Sequence, residues 1–183
     1  DESTANSCTG GANDNCDKSG NGYDGAWNGD ATSGVGKFGS ALSLDGTGDY
    51  LQTAEGANYS LNSFTIAAWI YRTSDTGNNE YVFDNRDAND DGYRFMVDGG
   101  ATPDKMQCSF NTTDVSGTTG IALNTWTHVV CTSDGTTLRV YKNGVLEGSG
   151  TISDTISEST SARIGTISYT LTQYFPGRVD ETR

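Results

Sequence analysis

Two dipeptides constrain this chain more than any other feature. Asp134-Gly135 and Asn143-Gly144 each sit between runs rich in β-branched and aromatic residues, "WTHVVCTS", "TTLRVYKN" and "GVLEGSG". Such dipeptides supply the positive φ angles of type I′ hairpin turns. Residues 126–150 therefore read as a three-stranded antiparallel meander. Similar short runs recur along the chain, separated by Gly, Ser, Thr, Asn and Asp, whereas the 3.6-residue rhythm of an amphipathic helix is almost absent. Many short strands between turn signals describe an all-β sandwich or barrel.

In "FTIAAWIY", Phe64, Ile66, Ala68 and Ile70 face one way, while Thr65, Ala67, Trp69 and Tyr71 face the other. Both faces are partly apolar, the pattern of a central strand covered on both sides or bordering a groove. Trp69 and Trp126 are read as core residues on this pattern.

The 183 residues suffice for one domain with a proper core, and 10% aromatic content is too high for a disordered chain. The formal net charge of −13 argues against nucleic acid and anionic membrane surfaces, whose binding needs clustered basic residues. No stretch is long and apolar enough for membrane insertion as a helix. Cysteines stand at 8, 16, 108 and 131 without Cys-x-x-Cys spacing, which fits disulfides better than zinc. Cys8–Cys16 would staple a Gly/Asn-rich loop, and Cys108–Cys131 would join two strand-like segments if these pair. Buried free thiols are the alternative for the second pair. Disulfides imply an extracellular or cell-surface location.

Calcium is suggested by "DKSGNGYDG", in which Asp17, Ser19 and Asn21 alternate before Gly22. Oxygen donors at alternate positions followed by glycine suit a hard cation that takes six to eight oxygen ligands. Asn28 occupies the position where a helix–loop–helix site would place its closing Glu, so that architecture is excluded. The rhythm returns at Asp87, Asn89 and Asp91 before Gly92, a second candidate site whose other reading is a polar hairpin loop.

The ordered segments "DKSGNG", "GKFGSALSLDGTGDYL", "SFTIAAWIY", "WTHVVCTSDGTTLRVYKNG", "ARIG" and "FPGRVDETR" resemble the LamG-like jelly-roll family of the concanavalin A-like lectin/glucanase superfamily. The resemblance spans residues 17–183 and leaves residues 1–16 as an N-terminal arm. It implies two antiparallel sheets packed face to face, one of them concave, with "SALSLDG" lying near "GRVDE". It also implies a structural Ca2+ shared by an N-terminal loop and a C-terminal Asp. In this chain those ligands would be Asp17, Asn21 and Asp180.

Catalysis finds little support. Glycosidases flank the scissile bond with two carboxyl groups. The glutamates at 2, 55, 80, 147, 158 and 181 lack the Glu-x-Asp-x-x-Glu spacing of glycanase relatives, and the lone His128 reads as structural. The expectation is a non-enzymatic module recognising a polysaccharide or glycoconjugate. Tyr93, Arg94, Arg139, Tyr141 and Tyr174 are its candidate ligand-binding residues, because sugar sites combine aromatic faces with polar hydrogen-bonders. The alternative is a structural or adhesive subunit that contacts other surface proteins or copies of itself.

Overall fold

The computed structural model describes residues 24–53, 59–156 and 161–183, together with the backbone of residues 14–15. Among the described residues there is no helix. The first strands are β1 (Asp14–Asn15), β2 (Gly25–Asn28), β3 (Thr32–Val35), β4 (Ser40–Asp45) and β5 (Tyr50–Thr53). The central ones are β6 (Ser63–Arg72), β7 (Glu80–Asp84), β8 (Tyr93–Asp98), β9 (Lys105–Phe110) and β10 (Thr113–Gly120). The chain closes with β11 (Thr127–Asp134), β12 (Thr137–Lys142), β13 (Val145–Thr151), β14 (Arg163–Ile164) and β15 (Pro176–Asp180).

These strands form two antiparallel sheets. The first has the order β1-β2-β5-β14-β7-β8-β9-β10, and the second β13-β12-β11-β6-β15-β4-β3. Inward residues of both sheets make one core, including Leu42, Leu44, Ile66, Ile70, Phe95, Phe110, Val129, Leu138, Val140 and Val179. The chain is an all-β antiparallel sandwich of jelly-roll type, with the core between the sheets.

The meander forms as its turn residues require. In the β12–β13 turn Asn143 and Gly144 both have positive φ, 50° and 80°. The β11–β12 turn differs in detail. Asp134 remains in the strand, and its Oδ1 accepts hydrogen bonds from the amides of Thr136 and Thr137, leaving only Gly135 at positive φ.

"SALSLDG" and "GRVDE" pair as β4 and β15, with Leu42 opposite Val179. In β15, Gly177 (φ 149°) lies against β6 so closely that a Cβ would sit 2.0 Å from the Tyr71 carbonyl oxygen. Glycine is therefore required in "FPGRVDE".

Cys108 and Cys131 are bonded, with Cα atoms 5.9 Å apart. Their strands do not pair, as a bridge within one sheet would need. β9 belongs to the first sheet and β11 to the second, so the disulfide crosses the core. Cys8 and Cys16 lie outside the described residues.

Candidate functional site

Alternation on each strand decides which side chains face solvent. On the first sheet, Leu51, Phe83, Phe95, Cys108 and Val115 point inward, so their neighbours point out. Cross-strand register then sets Gln52, Arg163, Asp84, Arg94, Ser109 and Asp114 opposite one another in succession. Side chains directly opposite in antiparallel strands stand on the same face, close enough to interact. The result is a polar row across β5, β14, β7, β8, β9 and β10.

The row is hydrogen-bonded at both ends, while Asp84 in its middle pairs with Arg86. Arg163 donates from Nε and Nη2 to Gln52 Oε1, each at 3.3 Å, and its guanidinium lies 5.6 Å from the Tyr50 ring centre. Arg94 donates from Nε to Ser109 Oγ at 2.8 Å and pairs with Asp114 at 3.2 Å. Asp84 and Arg86, 0% and 1% exposed, are paired at 3.2 Å. Arg86 also reaches the exposed Asp90.

Residues 165–175 cross above the centre of this face. Ile167 packs on Tyr81 and Met96, and the Ser168 amide donates to Asp84 Oδ2 at 3.2 Å. Tyr169 remains 42% exposed with the Arg86 guanidinium 5.8 Å from its ring centre. Tyr174 belongs to the same crossing segment, where its hydroxyl donates to the Leu171 carbonyl at 2.7 Å.

Of the five candidate ligand residues, Arg94 and Tyr174 are thus associated with the first sheet's outer side. Arg139 and Tyr141 project from β12 on the outer face of the second sheet, and Asp134 holds Arg139 at 2.8 Å. They cannot act with Arg94 on one ligand, because the whole core separates them. Tyr93 is a correction. Tyr93 and Arg94 cannot both face a ligand in "GYRFMV": Tyr93 and Phe95 point inward, and Tyr93 is 3% exposed between Phe64 and Phe83. Burial pushes its hydroxyl pKa up. It is a core residue.

The two tryptophans depart from expectation in the opposite sense. Trp69 and Trp126 lie half-buried on the outer face of the second sheet. Trp69 packs against His128 at 5.1 Å, with Lys37 over its ring at 4.6 Å, and Trp126 packs against Tyr71 at 5.4 Å. Strand phase decides this: Ile66, Ala68 and Ile70 point inward on β6 and Thr127 and Val129 on β11, so Trp69 and Trp126 fall on the other face.

Three places bear on cation binding. Asp180 is 1% exposed; its Oδ2 accepts the Phe38 amide at 2.9 Å, and its Oδ1 has no partner among the described residues. A buried, half-satisfied carboxylate suits a cation ligand, because an uncompensated charge in the interior is costly. Asp17 and Asn21, its expected co-ligands, lie outside the described residues. The second candidate, Asp87–Asn89–Asp91, closes on itself. Asp87 accepts the amides of Asn89 and Asp91 at 2.8 and 2.9 Å and the Asn89 side-chain amide at 2.9 Å. Those hydrogen bonds hold its carboxyl below the usual range, and Arg86 takes up the charge of Asp84 and Asp90. The turn therefore has a folding explanation without an ion.

A third group was missed by the sequence reading. Asp30, Asp45 and Asp49 each bring a carboxylate oxygen within 4.8 Å of the others and could hold a metal. Asp49, buried at the corner between β4 and β5, accepts the amides of Asp30 and Asp45 at 2.8 and 3.0 Å. Burial, with the neighbouring carboxyls of Asp30 and Asp45, pushes its carboxyl up. The signal was present in "LDGTGDYL", where two glycines fold Asp45 back beside Asp49.

Known proteins share this architecture. Domain 4 of AbnA, a GH43 extracellular arabinanase from Geobacillus stearothermophilus solved with arabinotriose, is 23% identical, with a TM-score of 0.75. That match covers 93% of this chain and 85% of the other. Mouse laminin α1 domains LG4-5 align at 13% identity and a TM-score of 0.63, over 84% of this chain and 40% of the laminin chain. The Ruminococcus gnavus IT-sialidase CBM40, solved with α2,3 sialyllactose, aligns at 13% identity and a TM-score of 0.55, over 78% and 86%. No curated protein sequence matches significantly. The Laminin_G_3 family model matches residues 45–183, most of the chain, and by that match the chain belongs to the concanavalin A-like lectin/glucanases superfamily.

Proposed function

We propose that this domain is a non-catalytic, extracellular carbohydrate-recognition module, and that the outer face of its eight-stranded sheet takes the glycan. The observation that carries this reading is the polar row Gln52–Arg163–Asp84–Arg94–Ser109–Asp114, with Tyr50 and Tyr169 beside it. Of these, Gln52, Arg163, Arg94 and Asp114 reach solvent, and their amide, guanidinium and carboxylate groups provide both donors and acceptors for sugar hydroxyls, while the buried Asp84 and Ser109 hold the row from beneath. Tyrosine rings supply apolar faces for C–H stacking at low conformational cost. The buried Asp84–Arg86 pair and the 165–175 crossing fix the row in place, so little ordering entropy is lost on binding.

The arabinotriose and sialyllactose complexes of two structural neighbours support a glycan as the ligand class. The disulfide across the core supports an oxidising compartment.

Calcium belongs to this reading as a structural ion held by Asp180 with Asp17 and Asn21. When bound, it would supply positive charge to the Asp180 carboxylate and tie the ends of the domain together. The topology agrees with this assignment. β4 and β5 are consecutive strands turned back at 46–49, so Ser40 and Thr53 share one end of the sandwich. Gly25 pairs with both Asn15 and Thr53 at that end, and Phe38, just before β4, covers Asp180. The Asp30–Asp45–Asp49 group is the other place a cation could sit.

The decisive experiment is a glycan-array screen of the domain with and without chelator. Retention of at least one polysaccharide is expected, and binding to none would overturn the proposal.

A second reading, an adhesive or structural subunit, rests on the edges of the other sheet. Val35 and Phe38 at one side and Val145 and Leu146 at the other are 76%, 56%, 61% and 52% exposed. Concentration-dependent association in sedimentation velocity, lost in Val35→Ser/Val145→Ser, would favour it.

A further inference from the structure

Among the described arginines, Arg72, Arg86, Arg94, Arg139 and Arg183 each pair with a carboxylate. Arg163 and Arg178 do not. In a chain with 24 acidic and 11 basic side chains, an arginine without a carboxylate partner is unexpected. Arg178 is accounted for on the second sheet, where it donates to the Val35 carbonyl at 3.1 Å and lies over Tyr71 at 5.1 Å. Arg163 stands in the middle of the polar row on the first sheet.

The hydrogen bonds of Arg163 define what it has left to offer. Its Nε and Nη2 both donate to Gln52 Oε1, and Tyr50 flanks the guanidinium. One edge of the guanidinium is therefore used for positioning. Among the described residues Nη1 has no hydrogen-bond acceptor, so the Nη1–Nη2 edge, with its parallel N–H groups, is left without a partner there. The adjacent acid, Asp84, cannot serve this edge, because Arg86 and the Ser168 amide occupy its oxygens. A held guanidinium with a free two-donor edge matches the planar, two-oxygen geometry of a carboxylate.

We propose that Arg163 recognises the carboxylate of an acidic sugar residue, so that the glycan taken by this face is uronate-bearing. This rests on the assignment of the glycan to the eight-stranded sheet. The net negative charge of the chain does not forbid it, since at physiological salt charges beyond about 8 Å are largely screened. The contact is local, and acidic neighbours in the row are paired with Arg86 or Arg94. Gln52 acts as a positioning residue that sets the plane of the guanidinium.

The test is affinity electrophoresis of the whole chain in gels containing polygalacturonate, its fully methyl-esterified form, arabinan, or dextran sulfate. Wild type is expected to be retarded by polygalacturonate and about tenfold less by the ester. Arg163→Gln should lose about tenfold in affinity for polygalacturonate, and Arg163→Lys should recover only part of it. Arg178→Gln, on the other sheet, should bind as wild type, and unchanged melting curves would show that each variant is folded. Equal binding of ester and acid, or full binding by Arg163→Gln, overturns the inference. Equal retention on dextran sulfate also overturns it, as charge attraction alone. Binding to arabinan but not to polygalacturonate refutes the acidic ligand while leaving the glycan reading intact. Binding to none of the polymers refutes the uronate ligand, and the array then decides the glycan reading separately.

Discussion

Phe38 and Asp180 are joined across 142 residues of sequence: the Phe38 amide donates to Asp180 Oδ2 at 2.9 Å, and Oδ1 stays buried without a partner among the described residues. The loop before β4 thereby closes over the end of β15. A carboxylate so placed is stabilised by a hydrogen bond on one oxygen and by no described residue on the other.

If that second oxygen is a calcium ligand, the ion stabilises the fold by mass action. At an ion concentration a hundred times the dissociation constant the gain is about 2.7 kcal/mol. For a chain of this size that is a melting shift of about 5–10 °C. Chelator should therefore lower the melting temperature, and Asp180→Asn should abolish the calcium increment. It should leave the chelated protein no less stable, since it removes an unpaired buried charge. The same melting temperature with and without chelator would refute the ion's role.

The Cys108–Cys131 bridge closes 23 residues and links the two sheets across the core. Loop-closure entropy for such a ring gives about 3 kcal/mol. Cys108→Ala/Cys131→Ala should melt about 6–12 °C below wild type while keeping its β-sheet circular dichroism. Alanine is smaller than cysteine, so neither substitution introduces a clash in the core. A double variant as stable as wild type would show that the sandwich does not depend on this crosslink.

The fold was legible from local patterns, because strand alternation and turn chemistry act over a few residues. Asn143-Gly144 fixed a hairpin, and alternation in "SFTIAAWIY" separated the two faces of β6 without saying which one points inward. The ligand face was less legible, because it is assembled by register between distant strands. Arg163 and Gln52 are 111 residues apart, and nothing in "ARIG" alone announces its partner. Tyr93 illustrates the complementary failure. Alternation in "GYRFMV" says that Tyr93 and Arg94 face opposite ways, but only the packing of β8 against Phe64 says which way is in. Hydrophobicity argues for Trp69 and Trp126 inside, whereas strand phase puts them outside.

Acid should open the edge between β10 and β13. Glu147, on β13, accepts the amides of Thr118 and Thr119 at 2.9 and 2.8 Å and both their hydroxyls, holding an edge of one sheet to an edge of the other. These bonds, that from the Thr118 hydroxyl first, bring its pKa down from 4.5 to about 2. A depressed carboxyl pKa contributes stability that is complete above the unfolded value and fades as pH falls through the folded one. Stability should thus decline between about pH 5 and pH 2, with the hydrogen bonds of Asp134 and Asp87 adding to the slope. Glu147→Gln should flatten that decline in denaturant titrations at successive pH values. An unchanged pH profile would show that the clasp is not formed in solution.

The end of β6 carries the sharpest stability prediction. Arg72, 2% exposed, bonds Glu80 through Nε at 2.6 Å and Nη2 at 2.9 Å, Asp104 at 2.8 Å and the Ile121 carbonyl at 3.2 Å. Glu80, 0% exposed, also accepts the Thr76 amide at 3.1 Å. The guanidinium thus gathers β6, β7 and the segments flanking β9 and β10 around one buried charge. Removing one member of a buried pair leaves the other uncompensated, at a cost of about 3–5 kcal/mol. Arg72→Met should therefore shift the urea midpoint strongly downward. Arg72→Met/Glu80→Leu should recover part of the loss, because apolar replacement of both partners removes the stranded charge. Recovery should be incomplete, since Asp104 and the Ile121 carbonyl still lose their donor. A single variant within about 1 kcal/mol of wild type would mean that solvent reaches Glu80 and that the network is not buried in solution.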